Sequence, residues 1–473
     1  PNPLNLILLD DLAALTGLKI EPVLTMPSLI DDAIKKFYTP EAATESEGTN
    51  LEDEDFVKEL EEARAAGGKL RKSDALDLAK EAQETPVIKI VNLVLLDAIK
   101  RRASDLFMEP WEKYMRVRCR VDGLLEEVKR LPGSMVSAVV SRVKVMSHLD
   151  IAERRIPQDG RFKARVQNRE IDFRVSILPT QFGEKVCIRL LDKKSQSQAM
   201  EALGFSEDEL KKIRLASSKP HGMILITGPT GSGKTTTLYS ILNYLHRPEK
   251  NITTVEAPVE YQVHGINQVN VREAVGLTFA GALRGILRQD PNIIMVGEIR
   301  DQETMDIAMK AALTGHLVLS TLHTNDAASS IVRMMNMGIE PFLIASSVIM
   351  VTAQRLLRRI CDICKEPFQP DAELLKTLRA DLRTRSKLYK PKGCPECRNT
   401  GYAGRRVITE VLEITPKVRD LVVARATGTD IKQMARKEGM RTLRECGLAK
   451  VLAGETTFEE VLRITASDQE LEG

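Results

Sequence analysis

"LITGPTGSGKTTTLYSIL" (Leu225–Leu242) gathers small residues around a single lysine, between an apolar run and an amphipathic one. Gly228 to Thr235 spell G-P-T-G-S-G-K-T, which fits G-x-x-x-x-G-K-[ST]. The glycines let the backbone wrap so that successive N–H groups point inward at phosphate oxygens, and the following helix adds the positive end of its dipole. Lys234 is expected to bridge the β- and γ-phosphates and Thr235 to offer its hydroxyl to Mg²⁺. Pro229, Thr230, Gly231, Ser232, Gly233 and Thr236 complete the cradle. The stretch therefore predicts a site for a nucleoside triphosphate.

Working outward, "GMILITG", "NITTVE", "NIIMVGE" and "HLVLSTLH" are apolar runs separated by helical periodicity. That alternation predicts an α/β domain with a parallel sheet buried on both faces, over residues 200–473. Ligands of such sheets sit beyond the strands' carboxyl ends, where "NIIMVGEIRD" places Glu298 and "TTVEAPVEY" places Glu256 and Glu260. Gly297 stands where an aspartate is usual, so Glu298 is expected to orient or deprotonate water. Glu256 is expected to serve magnesium and water. His316 and His323 flank one strand at an odd spacing, which aims them at opposite faces. His323, at the carboxyl end, is the expected γ-phosphate sensor.

Upstream the composition changes. Residues 1–40 read as helix, strand and helix, the end of a small α/β domain whose front is missing, and Pro1 replaces an initiator methionine. Residues 41–85 read as a linker: Glu41 to Glu62 hold ten acidic residues against the single Lys58. Residues 86–192 read as an α+β domain with a helix, a hairpin around Asp122-Gly123 and the alternating runs "REIDFRVSILPT" and "EKVCIRLLD". The polar residues 193–199 are expected to act as a hinge.

Bulk properties exclude several classes. The 473 residues are 43% hydrophobic and 29% charged, which is neither disordered nor fibrous, and a net charge of +3 provides no global field for nucleic acid. The most apolar long window, "PFLIASSVIMVTAQRLLRR" from Pro341, is too short and too polar to span a bilayer. No signal peptide opens the sequence, so a cytoplasmic location is expected. Of seven cysteines, Cys361, Cys364, Cys394 and Cys397 form C-x2-C-x29-C-x2-C, the pattern of a structural Zn²⁺ site over about 358–405. A redox dithiol or separate buried thiols are the competing readings.

"GPTGSGKTTTLYS", "TVEAPVEY", "LRQDPNIIMVGEIRD" and "TGHLVLSTLHTNDA" resemble the Walker A, Asp box, Walker B and His box of the secretion ATPases of type II secretion and type IV pilus systems. "SHLDIAERRIPQDGRF" and "IDFRVSILPTQFGEKVCIRLL" are similar to that superfamily's N-terminal nucleotide-contacting domain. The resemblance implies a RecA-like core, a PAS-like α+β domain, ATP as the nucleotide and a homo-hexameric ring. It further implies that Arg174 and Arg189 are set against the phosphates, where their planar forks clamp developing charge. Without it, both read as solvated strand residues. Ala257 departs from the pattern, which carries aspartate there.

The tetracysteine element and the partial N-terminal domain point to the assembly branch rather than to retraction. The expectation is a motor at the cytoplasmic face of the inner membrane that assembles a type IV pilus through a membrane platform protein, with type II secretion as the alternative. A nucleic-acid translocase is a third reading, disfavoured by 4% aromatic residues and a single tryptophan, Trp111. A scaffold that binds ATP without turnover is a fourth, opposed by the presence of Lys234, Glu298 and His323.

Overall fold

The computed structural model describes residues 48–50, 85–166, 169–192, 199–370 and 388–465. The readings made on residues 1–40, on most of the 41–85 linker and on nearly all of the hinge fall outside these. Apart from the turn residues Asp122–Leu124, which group with the second, the chain divides between Asp192 and Lys193 into two compact units.

In the first unit, α1 (Thr85–Lys100) is amphipathic and buries Val87, Val91, Val94, Leu95 and Ala98. It packs with α2 (Val136–Met146) over one face of a sheet. The strands are β1 (Gly48–Asn50), β2 (Asp105–Pro110), β3 (Tyr114–Val121), β4 (Leu124–Pro132), β5 (Gln158–Val166), β6 (Arg169–Thr180) and β7 (Gly183–Asp192). Their order is β1-β5-β6-β7-β2-β3-β4. The β5–β6, β6–β7, β7–β2 and β2–β3 ladders are antiparallel, and β1 is added parallel at the edge. Asp122 and Gly123 both have positive φ, 48° and 90°, the conformation a tight two-residue hairpin requires. Alternation is strict in β3, so Met115, Val117, Cys119 and Val121 enter the core and Arg116, Arg118 and Arg120 face outward.

The second unit opens with α3 (Glu207–Ser217), started by a capping box between Ser206 and Glu209. Its sheet is built from β8 (Gly222–Thr227), β9 (Ile252–Glu256), β10 (Asn267–Asn270), β11 (Ile293–Val296), β12 (Leu317–Leu322), β13 (Val348–Ile360) and β16 (Tyr402–Glu413). The order is β10-β9-β11-β12-β8-β13-β16, parallel except for the last pair. β8, β9, β11 and β12 are buried along their whole length, as expected of a parallel sheet covered on both faces. One apolar cluster packs α5 (Phe279–Ile286), α6 (Gln302–Leu313), α7 (Ala327–Asn336), α8 (Pro341–Ser347), α9 (Pro416–Val423) and α10 (Gly428–Lys437) on the sheet. Another packs α3 and α4 (Lys234–Leu245) on it. The helices α11 (Leu443–Leu452) and α12 (Phe458–Ile464) close a smaller cluster against β13 and β16.

The apolar window from Pro341 becomes α8 followed by the 13-residue strand β13. No helix among the described residues is long and apolar enough to cross a membrane. Between Cys364 and Cys394 the described residues include an antiparallel pair of short strands, β14 (Lys365–Phe368) and β15 (Leu388–Pro391).

Candidate active site

The loop between β8 and α4 is set by three glycines of positive φ: Gly228 at 146°, Gly231 at 80° and Gly233 at 88°. Gly228 has a second reason to be glycine, since a Cβ there would lie 2.5 Å from the Gln354 carbonyl oxygen. Lys234 Nζ donates to the carbonyls of Gly228 (2.9 Å) and Pro229 (3.0 Å), so the ammonium folds back over the loop it follows. Burial lowers its pKa to about 8, with Glu298 opposing the shift and Arg355 adding to it. The Ser232 hydroxyl is buried without a hydrogen-bond partner, and Thr235 is exposed in the first turn of α4. An unpaired hydroxyl, a cation and a helix N-terminus around one concave backbone suit a phosphate chain with its magnesium.

Glu298 follows β11, with its side chain 18% exposed. One carboxylate oxygen lies 2.7 Å from Arg300 Nη2 and the other 3.6 Å from His323 Nε2. Burial first, and then the nearby Lys234 charge, lower the His323 pKa below its usual 6.5, so the ring is neutral at pH 7. The structure thus brings Lys234, Glu298 and His323 together. His316, at the other end of β12, is turned away, its Nδ1 3.0 Å from the Ala311 carbonyl oxygen.

Glu256 is not presented to this cluster. It is 3% exposed, and both carboxylate oxygens are taken: one by Tyr239 of α4, the other by Thr254 Oγ1 (2.7 Å) and Gln268 Nε2 (3.2 Å). Thr254 and Glu256 are two residues apart on β9 and share one face, which is why α4 covers both. Burial raises the Glu256 pKa despite these donors. The expected service to magnesium therefore requires the side chain to leave Tyr239.

Residues that the sequence reading missed hold the loop from behind. Thr227 Oγ1 donates to the Leu322 carbonyl (3.0 Å) and accepts from Thr324 N (2.9 Å), joining the ends of β8 and β12. Gln354 and Arg355 stand on β13 against the same loops. The available signal was a polar pair inside the most apolar window of the sequence.

Arg174 and Arg189 belong to the first unit. They are direct cross-strand partners on β6 and β7, and the same row continues from Arg161 on β5 to Asp105 on β2 and Arg120 on β3. Arg189 Nε lies 3.2 Å from Asp105 Oδ1.

The four cysteines converge, with every sulfur within 4.8 Å of the others. Sγ–Sγ distances are 3.9 Å for Cys361–Cys394, 3.8 Å for Cys364–Cys397 and 3.6 Å for Cys394–Cys397. A tetrahedron of thiolates about 2.3 Å from zinc has edges of about 3.8 Å, so the cluster fits that ion. Backbone N–H groups of Cys394 and Gly401 donate to Cys397 Sγ, each at 3.2 Å, as anionic thiolates require.

Residues 80–463 match the family model for the type II/IV secretion system protein. The chain belongs to that family. Within it, the chain is 47% identical over 475 residues to the type IV pilus assembly ATPase PilB of Myxococcus xanthus, covering 99% of this chain and 82% of that protein. It is 46% identical over 463 residues to the type II secretion system protein E of Xanthomonas campestris pv. campestris, covering 97% and 79%. Among solved structures, the pilus retraction motor PilT with bound ADP aligns at TM-score 0.55 and 26% identity, over 80% of this chain and 98% of that one. The family thus accounts for the order of motifs along the chain.

Proposed function

We propose that this ATP hydrolase of the type II/IV secretion system family drives assembly of a type IV pilus. The observation that carries the reading is the 47% identity to a pilus assembly ATPase along 99% of the chain. In the reading, the second unit is a RecA-like core and the first a PAS-like partner. Lys234 and the backbone of residues 228–236 bind the triphosphate, and Thr235 holds Mg²⁺, which supplies charge neutralisation on the phosphates. Glu298 orients and deprotonates water, held by His323, whose neutral imidazole then reads the γ-phosphate. Arg174 and Arg189 supply positive charge to the same phosphates within a homo-hexameric ring. Cys361, Cys364, Cys394 and Cys397 hold a structural Zn²⁺. The ring works at the cytoplasmic face of the inner membrane, against a platform protein of the pilus machine.

A second reading is type II secretion, favoured by 46% identity to a secretion protein E over 97% of the chain. Complementation separates them. Expressed in one strain lacking its pilus assembly ATPase and in another lacking its type II secretion ATPase, the chain should restore surface pili in the first. Restored enzyme export in the second, without pili in the first, would transfer the function to secretion.

A further inference from the structure

We infer that Gln354 and Arg355 are positioning residues that lock the phosphate loop and the His323 loop to each other; the inference rests on the hydrolase reading above. They are neighbours on β13, so their side chains leave opposite faces of the strand. Gln354 is 1% exposed and works on the phosphate-loop side. Its Nε2 donates to the Ser232 carbonyl at 2.8 Å, and its Oε1 accepts from Thr237 Oγ1 at 2.8 Å. The amide therefore ties the loop to the first turn of α4, and the Ser232 bond needs a donor that a carboxylate lacks.

Arg355 works on the other side. Its Nη1 donates to the Gln354 carbonyl at 3.0 Å and its Nη2 to the Asn325 carbonyl at 2.9 Å. Asn325 is two residues beyond His323. The same guanidinium abuts Gly228, where a Cβ would come within 3.1 Å of Nη1. One planar fork thus spans the start of the phosphate loop and the segment that aims His323. A lysine, with a compact charge, cannot serve two carbonyls in one plane. Burying the Gln354 amide to 1% exposure costs stability unless it is hydrogen-bonded, and both of its ends are used on the phosphate-loop side.

The test uses the full chain with Arg355→Gln, Arg355→Lys, Gln354→Glu and His323→Ala, and the Arg355→Gln/His323→Ala double variant. Arg355→Gln should lower kcat by about tenfold or more, the scale of a lost charged hydrogen bond, and leave ADP affinity within about threefold. Arg355→Lys, which keeps the charge and one carbonyl, should recover part of kcat. In the His323→Ala background, Arg355→Gln should cost less than about threefold, because its effect passes through His323. Gln354→Glu should weaken ADP and ATP alike by about tenfold. Wild-type kcat in Arg355→Gln, or an undiminished further loss in the His323→Ala background, would overturn the inference. Loss of ATP affinity with ADP affinity intact would also overturn it, by making Arg355 a direct phosphate ligand. A wild-type chain that binds but never hydrolyses ATP would instead sink the hydrolase reading, while the ADP affinity of Gln354→Glu still reports on the loop clamp. Bound zinc and the melting transition identify a variant that has unfolded, and Arg355→Lys then carries the kcat comparison.

Discussion

Glu298 stands 2.7 Å from Arg300 and 3.6 Å from His323, so its carboxylate is held from two sides beside the phosphate loop. Glu298→Gln keeps the shape and removes the base. Turnover should fall by a factor on the order of 10² to 10⁴ with ATP affinity nearly intact. Steady-state hydrolysis and nucleotide titration of the purified variant check this, and near-normal turnover would remove Glu298 from the role. Lys234, Glu298 and His323 were legible in the sequence because each follows a strand or loop at a spacing that local geometry dictates. Glu256 was legible as a strand-end carboxylate, but its direction was not. Tyr239 and Gln268 reach it from elsewhere in the chain, and no local spacing encodes such a contact. Tyr239→Phe removes one of those holds, and if Glu256 must leave Tyr239 to serve magnesium, the variant should reach half-maximal hydrolysis at lower Mg²⁺ than wild type. An unchanged or higher Mg²⁺ requirement would count against that movement.

At the scale of elements, the hairpin at Asp122-Gly123 and the parallel strands were readable from turn chemistry and alternation, whereas the order β9-β11-β12-β8 comes from tertiary pairing. The row of arginines on β3 also has an account. Glu109 on β2 accepts from Arg118 at 2.8 and 3.0 Å and from Arg116 Nε at 3.1 Å, and Lys185 lies 3.1 Å away. Burial alone would raise its pKa, but the hydrogen bonds from Arg118 and Lys185 outweigh burial and hold it at about 2, below the usual 4.5. A depressed value means that folding favours the ionised form. The stabilisation, on the order of 2–3 kcal/mol, is complete above about pH 4.5 and lost as pH falls toward 2. Glu109→Gln should therefore melt lower than wild type at pH 7, with the gap closing across that acid window. The proposed zinc at the four cysteines yields a separate expectation. Cys394→Ser should lower bound zinc from one ion per chain and increase amide exchange around residues 361–370 and 388–401, while the β8–β12 ladder stays protected. Protein purified without chelator and containing no zinc would remove the assignment.

For the whole molecule, Arg174 and Arg189 face each other across β6 and β7, and like charges in that position repel. Asp105 pairs with Arg189 at 3.2 Å, and an added anion would meet two guanidinium groups side by side; in the proposed reading that anion is the γ-phosphate. Alanine at either position should depress hydrolysis and spare ADP binding, since ADP lacks that phosphate; equal loss of ADP and ATP affinity would mark them as structural. Sedimentation with ATP should show six subunits, and a fully active monomer would refute the ring. The proposed ring could not be read from periodicity or spacing. It entered through family resemblance, because contacts between copies leave no local pattern in one chain.

The strand β13 carries a last consequence. Gln354 and Arg355 lie within it, and Cys361 follows its end, where its N–H donates to the Gly401 carbonyl just ahead of β16 at 2.9 Å. The thiolates therefore close the open end of the β13–β16 pair. A slip of one residue along that ladder would exchange the faces of Gln354 and Arg355, sending the amide toward Asn325 and the guanidinium toward Ser232. It would also carry Cys361 about 3.3 Å out of the tetrahedron. A metal held there would thereby act as an indexing peg: the alignment that completes four sulfurs also delivers the right side chain to each loop, about 20 Å away along the strand, across the register shift between Arg358 and Ile360.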